Sequence, residues 1–140
     1  MAIFYPPSGG QRIAALVKTE VALSKLHLFK ADFTPSPLVT LAEMDLHEAD
    51  YDGYTAGGET VTAFAGPIID PLNGYAIYSG TKLFSFVAAG PDPITNTIGG
   101  WYLETAGGVL LAVESFPGSV PMQQAGQGVP VGFRLVFGNR

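Results

Sequence analysis

The chain has 140 residues, of which 47% are hydrophobic and only 14% charged, so one domain with a substantial apolar core fits its length. It carries no cysteine, which excludes disulfides and thiolate metal sites, and its net charge of −5 with only seven Lys and Arg leaves no basic stripe for nucleic acid. Eighteen glycines and eleven prolines are typical of short strands joined by tight turns, and no apolar run approaches the ~20 residues that span a bilayer.

The first 18 residues are predicted to form an extended N-terminal arm, and residues 19–140 a single β domain. Pro6-Pro7 and Gly9-Gly10 oppose both helix and ladder formation in the arm. The arm nevertheless contains three consecutive large apolar residues, which a purely disordered tail rarely has: Ile3, Phe4 and Tyr5. Two interpretations stay open, namely a tail folded back on its own domain and an arm that docks on a neighbouring subunit through these three residues.

The segment after the arm is predicted to be the first strand of the domain. Within the arm, the short apolar run Ile13–Val17 favours an edge strand, and alternation over Val21–Lys30 predicts a strand with one mixed face. His27 lies on that strand with no second histidine or acid at ligand spacing. It is therefore interpreted as a surface or packing residue rather than as a ligand or a base.

A short helix is predicted over Leu41–Leu46, because Thr40 and Glu43 have the spacing of a capping box. The only dense charge cluster of the chain lies in and after this helix: Glu43, Asp45, Glu48, Asp50 and Asp52. Asp50–Gly53 resembles the start of a calcium loop, but the twelfth position of that loop is Val61, which cannot bind a cation. A solvated acidic loop is favoured, an adventitious or structural cation is the minor alternative, and no metal ligand is assigned.

Further strands are predicted from period-2 alternation at Glu59–Ala65, Tyr75–Tyr78, Lys82–Ala88 and Val129–Phe137. The last of these has the cleanest alternation in the chain. Pro130 suggests an edge position for it, because proline cannot donate to a ladder. Residues 117–128 are predicted to form a connection over the end of the sheet.

The stretch Thr97–Phe116 is predicted to be the hairpin around which the domain is organised. Gly107-Gly108 separates two apolar runs, and a two-residue turn with positive φ at both positions favours glycine. The resulting cross-strand pairs are Ala106 with Val109 and Leu103 with Ala112. Neither face of the hairpin is clearly polar, so we expect it to lie between other layers, with Trp101 at least half buried.

Seven or eight short strands in about 115 residues indicate an all-β fold, that is, one antiparallel sandwich, jelly roll or small barrel with a single helical turn. The sequence contains no Gly-x-Ser-x-Gly elbow, no phosphate loop and no His-Glu-x-x-His, and two histidines are too few for a histidine-rich zinc site. The prediction is a protein that is not an enzyme and that has no catalytic residue, cofactor or metal.

Four stretches resemble a group of small virion-associated proteins of tailed bacteriophages: LHLFKADFTPSP, TLAE followed by EADYDGY, GWYL, and VPMQQAGQGVPV. The resemblance runs from Leu26 to the C-terminus, and the first and third stretches are the most distinctive. It is a resemblance of wording and order rather than of a catalytic motif, and residues 1–18 lie outside it.

This resemblance implies a structural protein of the phage particle, in first place a capsid decoration (cement) protein that binds and stabilises the assembled head. It further implies the major capsid protein as partner, a homo-oligomer that is commonly a trimer, and a place on the capsid surface after synthesis in the bacterial host cytoplasm. Direct contact with nucleic acid or membrane is not expected. The alternative is a tail, neck or fibre component that contacts a host surface or another tail protein. A third class, a small glycan-active or lectin-like module, is supported only by the acidic cluster and by tyrosines that could stack on sugars.

Overall fold

The computed structural model describes residues 23–61, 65–69 and 76–137. These residues form two antiparallel sheets around a shared core, which confirms the predicted all-β sandwich. The elements are β1 (Lys25–Lys30), α1 (Leu41–Leu46), β2 (Glu59–Thr60), β3 (Ala65–Ile69), β4 (Ala76–Ser85), β5 (Asn96–Glu104), β6 (Leu110–Met122) and β7 (Gly128–Phe137). Within the described ranges no helix is long and apolar enough to cross a membrane. The predicted arm, residues 1–18, lies outside the described residues together with its apolar run Ile13–Val17.

The two sheets have four and three strands. The first sheet has the order β2-β1-β5-β6 and the second the order β3-β4-β7, and neighbouring strands are antiparallel throughout. Among the described residues β7 pairs only with β4, so the edge position that Pro130 suggests is confirmed.

The main core lies between the two sheets. The first sheet contributes Leu26, Leu28, Ile98, Trp101 and Leu103, and the second contributes Phe84, Val129, Val131 and Phe133. The centroids of the Trp101 and Phe133 rings are 5.7 Å apart, so the two sheets touch through these aromatic groups. Trp101 is 5% exposed, which confirms its predicted burial.

The outer face of the first sheet is covered as well. Phe29 and Tyr102 form a second buried cluster there with Met44 of α1. This third layer explains why β1 is buried on both sides, and it confirms that the hairpin lies between layers. The capping box of α1 is also confirmed, because Thr40 accepts from the Glu43 N–H and the Glu43 carboxylate accepts from the Thr40 N–H.

The hairpin between β5 and β6 is confirmed, but its loop is one residue longer than predicted. The Thr105 N–H donates to the Val109 carbonyl, and the Gly108 N–H donates to the Thr105 carbonyl. In this loop only Gly108 has positive φ, at 82°, so one left-handed residue closes a three-residue loop. Leu103 pairs with Ala112 as predicted, whereas the predicted pairing of Ala106 with Val109 is wrong.

Four predicted strand boundaries are wrong. Among the described residues the strand predicted at Val21–Lys30 begins only at Lys25, because Leu23 lies in a turn with a φ of 64°. Residues 76–85 form one strand where the alternation predicts two, because all ten residues pair with β7. The predicted strand Glu59–Ala65 is divided between β2 and β3, with residues 62–64 outside the described ranges. β6 continues to Met122, although the Pro-Gly signal after Phe116 predicts a connection. Residues 116–119 leave the ladder and the strand then resumes, so this signal marks a bulge within β6.

We expect Trp101→Ala to lower the free energy of unfolding by ~3–5 kcal/mol, because it removes a large ring from the contact between the sheets. Leu38→Ala is the control, since that side chain is 89% exposed and its loss should change the value by less than about 0.5 kcal/mol. Denaturant unfolding of both variants measures the difference. A loss below ~1 kcal/mol at Trp101 contradicts its place in the core.

Candidate functional site

A polar cluster centred on the buried His27 of β1 is the candidate site among the described residues. We call it the His27 network, and its members are His27, Asp45, Glu48, Tyr54, Tyr102 and Glu104. The predicted partner-binding residues Ile3, Phe4 and Tyr5 lie outside the described residues, so their role stays a prediction.

His27 is buried between two glutamates. The residue is 1% exposed. Its Nδ1 lies 2.7 Å from Glu48 Oε1, and its Nε2 lies 2.9 Å from Glu104 Oε2. Of the two predicted roles, packing is confirmed and a surface position is wrong. The absence of an acid at ligand spacing holds along the sequence, but not in the folded chain. The two acids are 21 and 77 residues away, and no local spacing signals them.

The imidazole ring is also enclosed by its neighbours. The Tyr102 ring stacks on it with centroids 4.4 Å apart and an angle of 12° between the planes. A Cβ atom at Gly58 would lie 2.9 Å from the ring Cγ, and Gly58 has a φ of 78°, so only glycine fits beside the ring without strain. Both ring nitrogens already have a carboxylate partner, so His27 is held as a structural group in this arrangement.

Glu48 accepts hydrogen bonds from three directions. The donors are His27 Nδ1, the Tyr54 hydroxyl at 2.8 Å and the Gly57 N–H at 3.1 Å. Burial by itself would raise the pKa of Glu48, but the hydrogen bonds from His27 and Tyr54, the charge on His27 and the Gly57 N–H together lower it. The predicted solvated acidic loop is therefore wrong at Glu48.

Two tyrosines extend the network. The Tyr54 hydroxyl accepts from the Leu28 N–H at 3.1 Å and donates to Glu48, and burial together with the Glu48 charge raises its pKa. The Tyr102 hydroxyl donates to Asp45 at 2.9 Å, and burial followed by that hydrogen bond raises its pKa. Both hydroxyls thus keep their protons and serve as donors at neutral pH.

Residues 48–58 complete the edge of β1 through this network. β2 pairs with β1 only at Lys25 and Leu26. Further along β1, Phe29 bridges to Glu48 and the Ala49 N–H donates to the Leu28 carbonyl. The Tyr54 hydroxyl accepts from the Leu28 N–H between these two stretches. One segment therefore supplies both backbone and side-chain partners to the edge of β1.

Two other residues of the acidic cluster defined from the sequence, Asp50 and Asp52, also have hydrogen-bond partners. Asp50 accepts a hydrogen bond from the Asn96 side-chain amide at 2.8 Å and lies 3.1 Å from Lys30 Nζ. The Asn96 hydrogen bond has the largest effect and lowers the pKa of Asp50. Burial raises this pKa by less, and the contacts with Lys30 lower it further. Asp52 accepts from the Ala89 N–H at 2.8 Å. Within the described ranges no three His, Asp or Glu side chains are placed to hold a metal ion.

The His27 network performs a structural task. Its hydrogen bonds join β1 and β5 to the segment of residues 48–58, and its Tyr102–Asp45 bond reaches α1. In comparisons with known proteins, no protein-family model, no curated protein and no solved structure matches the chain.

We expect Glu48→Gln to lower the free energy of unfolding at neutral pH by about 1.5–3 kcal/mol, the range for hydrogen bonds to a charged group. The folded-state pKa of Glu48 is lowered from 4.5, so its contribution is present above pH 4.5 and is lost as pH falls through the folded value. Denaturant unfolding between neutral and acid pH measures both effects. In Glu48→Gln the free energy of unfolding should fall less steeply on acidification than in the wild type. The control Glu114→Gln, at an exposed carboxylate, should show the same pH dependence as the wild type. An unchanged stability and slope in Glu48→Gln contradict its assigned role.

Two neighbouring glycines provide a matched pair of variants. Gly57 and Gly58 have φ of 84° and 78°, so alanine at either position costs about 1–2 kcal/mol for the left-handed backbone. A Cβ at Gly57 meets no atom within 4 Å, whereas at Gly58 it meets the His27 ring and the Leu26 carbonyl oxygen. We expect thermal and denaturant unfolding to show Gly58→Ala to be less stable than Gly57→Ala by a further ~1–3 kcal/mol. Equal losses would show that the ring is not held against Gly58.

Proposed function

We propose that the chain is a structural protein of a tailed-phage particle, namely a capsid decoration protein that binds the assembled head through the major capsid protein. The sequence resemblance supports this proposal, and all four of its stretches lie within the described residues. LHLFKADFTPSP contains most of β1 and the turn after it, and GWYL lies in β5. The remaining support comes from the surface of the sandwich.

The apolar surface of the domain is the observation that carries the proposal. Ten large apolar side chains among the described residues are at least 40% exposed, with Leu38 at 89% and Leu46 at 80%. Only 14% of the chain is charged, so this surface has few charges to keep it in solvent. Such a surface suits a protein that is covered by partners, both where it would bind the capsid and where it would contact its neighbours.

A modest apolar footprint is sufficient for such a task. Each Å² of apolar surface removed from water contributes roughly 25 cal/mol, and the same contact recurs at every equivalent position of a shell. Oligomers multiply the effect, because one bound subunit holds the next near its own site. The exposed apolar side chains of this sandwich therefore fit the proposed stabilisation of an assembled head.

A cryo-electron reconstruction of the parent particle tests the location. The proposal requires density of the size of this sandwich at regular positions over the capsid lattice. Density confined to the tail, neck or fibres would assign the chain to those structures instead. Absence from the purified particle in both mass spectrometry and image reconstruction would overturn the proposal.

We expect the purified protein to form a homotrimer, or at least a closed oligomer, because the low charge fraction and the exposed apolar groups favour burial against further copies. Multi-angle light scattering should give about three times the 14.7 kDa mass of the chain. A clean monomer at concentrations of tens of micromolar would contradict this expectation.

Deletion of Met1–Arg12 should leave the melting transition nearly unchanged while weakening attachment to capsids. Extended at ~3.3 Å per residue, twelve residues reach about 40 Å, far enough to contact a neighbouring subunit. Burial of Ile3, Phe4 and Tyr5 would contribute roughly 1.5–3 kcal/mol each before ordering costs.

Binding of the truncated protein to undecorated shells measures the effect. A second variant, the full-length chain in which the three apolar residues are replaced by serine, separates the effect of these side chains from that of the arm's length. Both proteins should bind more weakly than the wild type. Full occupancy by the truncated protein excludes the arm as the anchor. Failure of the truncated protein to fold would instead favour a tail packed on its own domain.

A further inference from the structure

The outer faces of the two sheets differ in how far they are covered. A buried cluster of Phe29, Met44 and Tyr102 lies on the outer face of the first sheet, with Met44 contributed by α1. The described residues form no such cluster on the outer face of the second sheet, which we call the second-sheet face. Its exposed residues within the described ranges are Ile68 of β3, Thr81, Leu83 and Ser85 of β4, and Gly128, Pro130, Gly132, Arg134 and Val136 of β7.

The pairing of β4 with β7 determines which residues belong to this face. Phe84 is in register with Val129, and both lie in the core between the two sheets. Residues an odd number of positions further along each strand point to the other side of the sheet. The pair of Leu83 with Pro130 therefore lies on the second-sheet face, as do the alternate pairs that follow it toward Val136.

The second-sheet face has small side chains in its middle and apolar side chains toward both ends. In the middle, Thr81 is in register with Gly132, so no bulky group stands there. Leu83 lies toward one end and is 63% exposed. Val136 and Ile68 lie at the other end, where both are in register with the same residue of β4. A flat partner surface can therefore approach the sheet closely.

A single charge lies among the described residues of this face. Arg134 is exposed and makes no ion pair with another described residue. Lys82 of β4 belongs to the opposite side of the sheet and contacts Glu59 of β2. The matching group on a partner is a carboxylate, which a guanidinium binds through charge-assisted hydrogen bonds. Four exposed acids of the chain lie in the region that includes α1: Asp32, Glu43, Asp45 and Asp50.

The size of the second-sheet face distinguishes between two kinds of partner. Three strands about 4.8 Å apart, with up to ten residues at ~3.3 Å each, cover roughly 14 by 33 Å, or about 450 Å². A stable pairwise interface covers about 800 Å² on each partner. A second copy bound through this face alone would thus be held weakly. A repeated surface can hold the chain, because several copies joined in one oligomer bind it together.

We propose that the second-sheet face binds a repeated protein surface whose sites each present a carboxylate bordered by apolar side chains. This inference rests on the proposed function, since the repeated surface is then the assembled head. Arg134 supplies the charged contact, and Leu83 and Val136 supply apolar contacts on either side of it. The acids of the region around α1 lie over the first sheet and take no part in this contact.

Charge reversal at Arg134 tests the electrostatic part of the contact. We expect Arg134→Glu to weaken binding to undecorated shells at least about tenfold, because it sets two carboxylates against each other. Lys25→Glu is the matched control at an exposed cation of β1, and it should bind as the wild type does. Added salt should weaken binding of the wild type more than that of Arg134→Ala. Equal binding by the wild type and Arg134→Glu would overturn the proposal.

Leu83→Asp and Leu38→Asp place the same substitution on the two sides of the sandwich. Leu38 adjoins Val39, which packs against the cluster over the first sheet. Binding to shells should weaken at least about tenfold in Leu83→Asp and stay unchanged in Leu38→Asp. Equal losses in the two variants would overturn the proposal. Light scattering should show an intact oligomer in Leu83→Asp, and a dissociated one would assign the second-sheet face to contact between copies instead.

Thiol labelling gives a readout that does not depend on weakened binding, because the natural chain has no cysteine. Thr81→Cys places a thiol in the middle of the second-sheet face, and Thr34→Cys, at an exposed residue beside Phe33, is the matched control over the first sheet. Binding to shells should slow labelling of Thr81→Cys at least about tenfold and leave Thr34→Cys unchanged. A bound protein in which Thr81→Cys stays fully reactive overturns this inference while the proposed function stands. A wild-type protein that does not bind shells contradicts both.

Discussion

The imidazole of His27, held between the carboxylates of Glu48 and Glu104, is the interaction on which the outer layer of the sandwich depends. A buried polar group lowers stability unless its hydrogen bonds are made, and here both ring nitrogens are engaged. The same Glu48 orients Tyr54, whose hydroxyl accepts from the backbone of β1 at Leu28. Loss of the imidazole would therefore leave a partly buried carboxylate short of a donor and loosen the segment that covers the strand.

The interior and the exterior of the domain follow different rules. Inside, aromatic contacts such as Trp101 with Phe133 join the sheets, and the polar groups around His27 are paired. Outside, apolar side chains such as Leu38 and Leu46 remain exposed and β6 has a free edge among the described residues.

Local patterns in the sequence predict a large part of this fold. The alternation of Val129, Val131 and Phe133 marks the inner face of β7, and the spacing of Thr40 and Glu43 marks the start of α1. These features depend on residues within one turn or one strand, so they can be predicted from residues that are close together in the sequence.

What the sequence does not predict depends on contacts between distant residues. The partners of His27 are brought together only by the antiparallel pairing of β1 with β5 and by the return of residues 48–58. The bulge in β6 likewise resembles a loop until Val120 is seen to pair with Ile98. Patterns of period two cannot distinguish a strand that ends from one that leaves the ladder and resumes.

A double-mutant cycle between His27→Phe and Glu48→Gln tests most directly the claim that these groups act as one unit. Phenylalanine keeps an aromatic ring to stack on Tyr102 while removing both nitrogens, so the cycle isolates the hydrogen-bonded pair. We predict a coupling free energy of about 1–3 kcal/mol in denaturant unfolding at neutral pH. Additive effects, with a coupling below about 0.3 kcal/mol, would contradict the account.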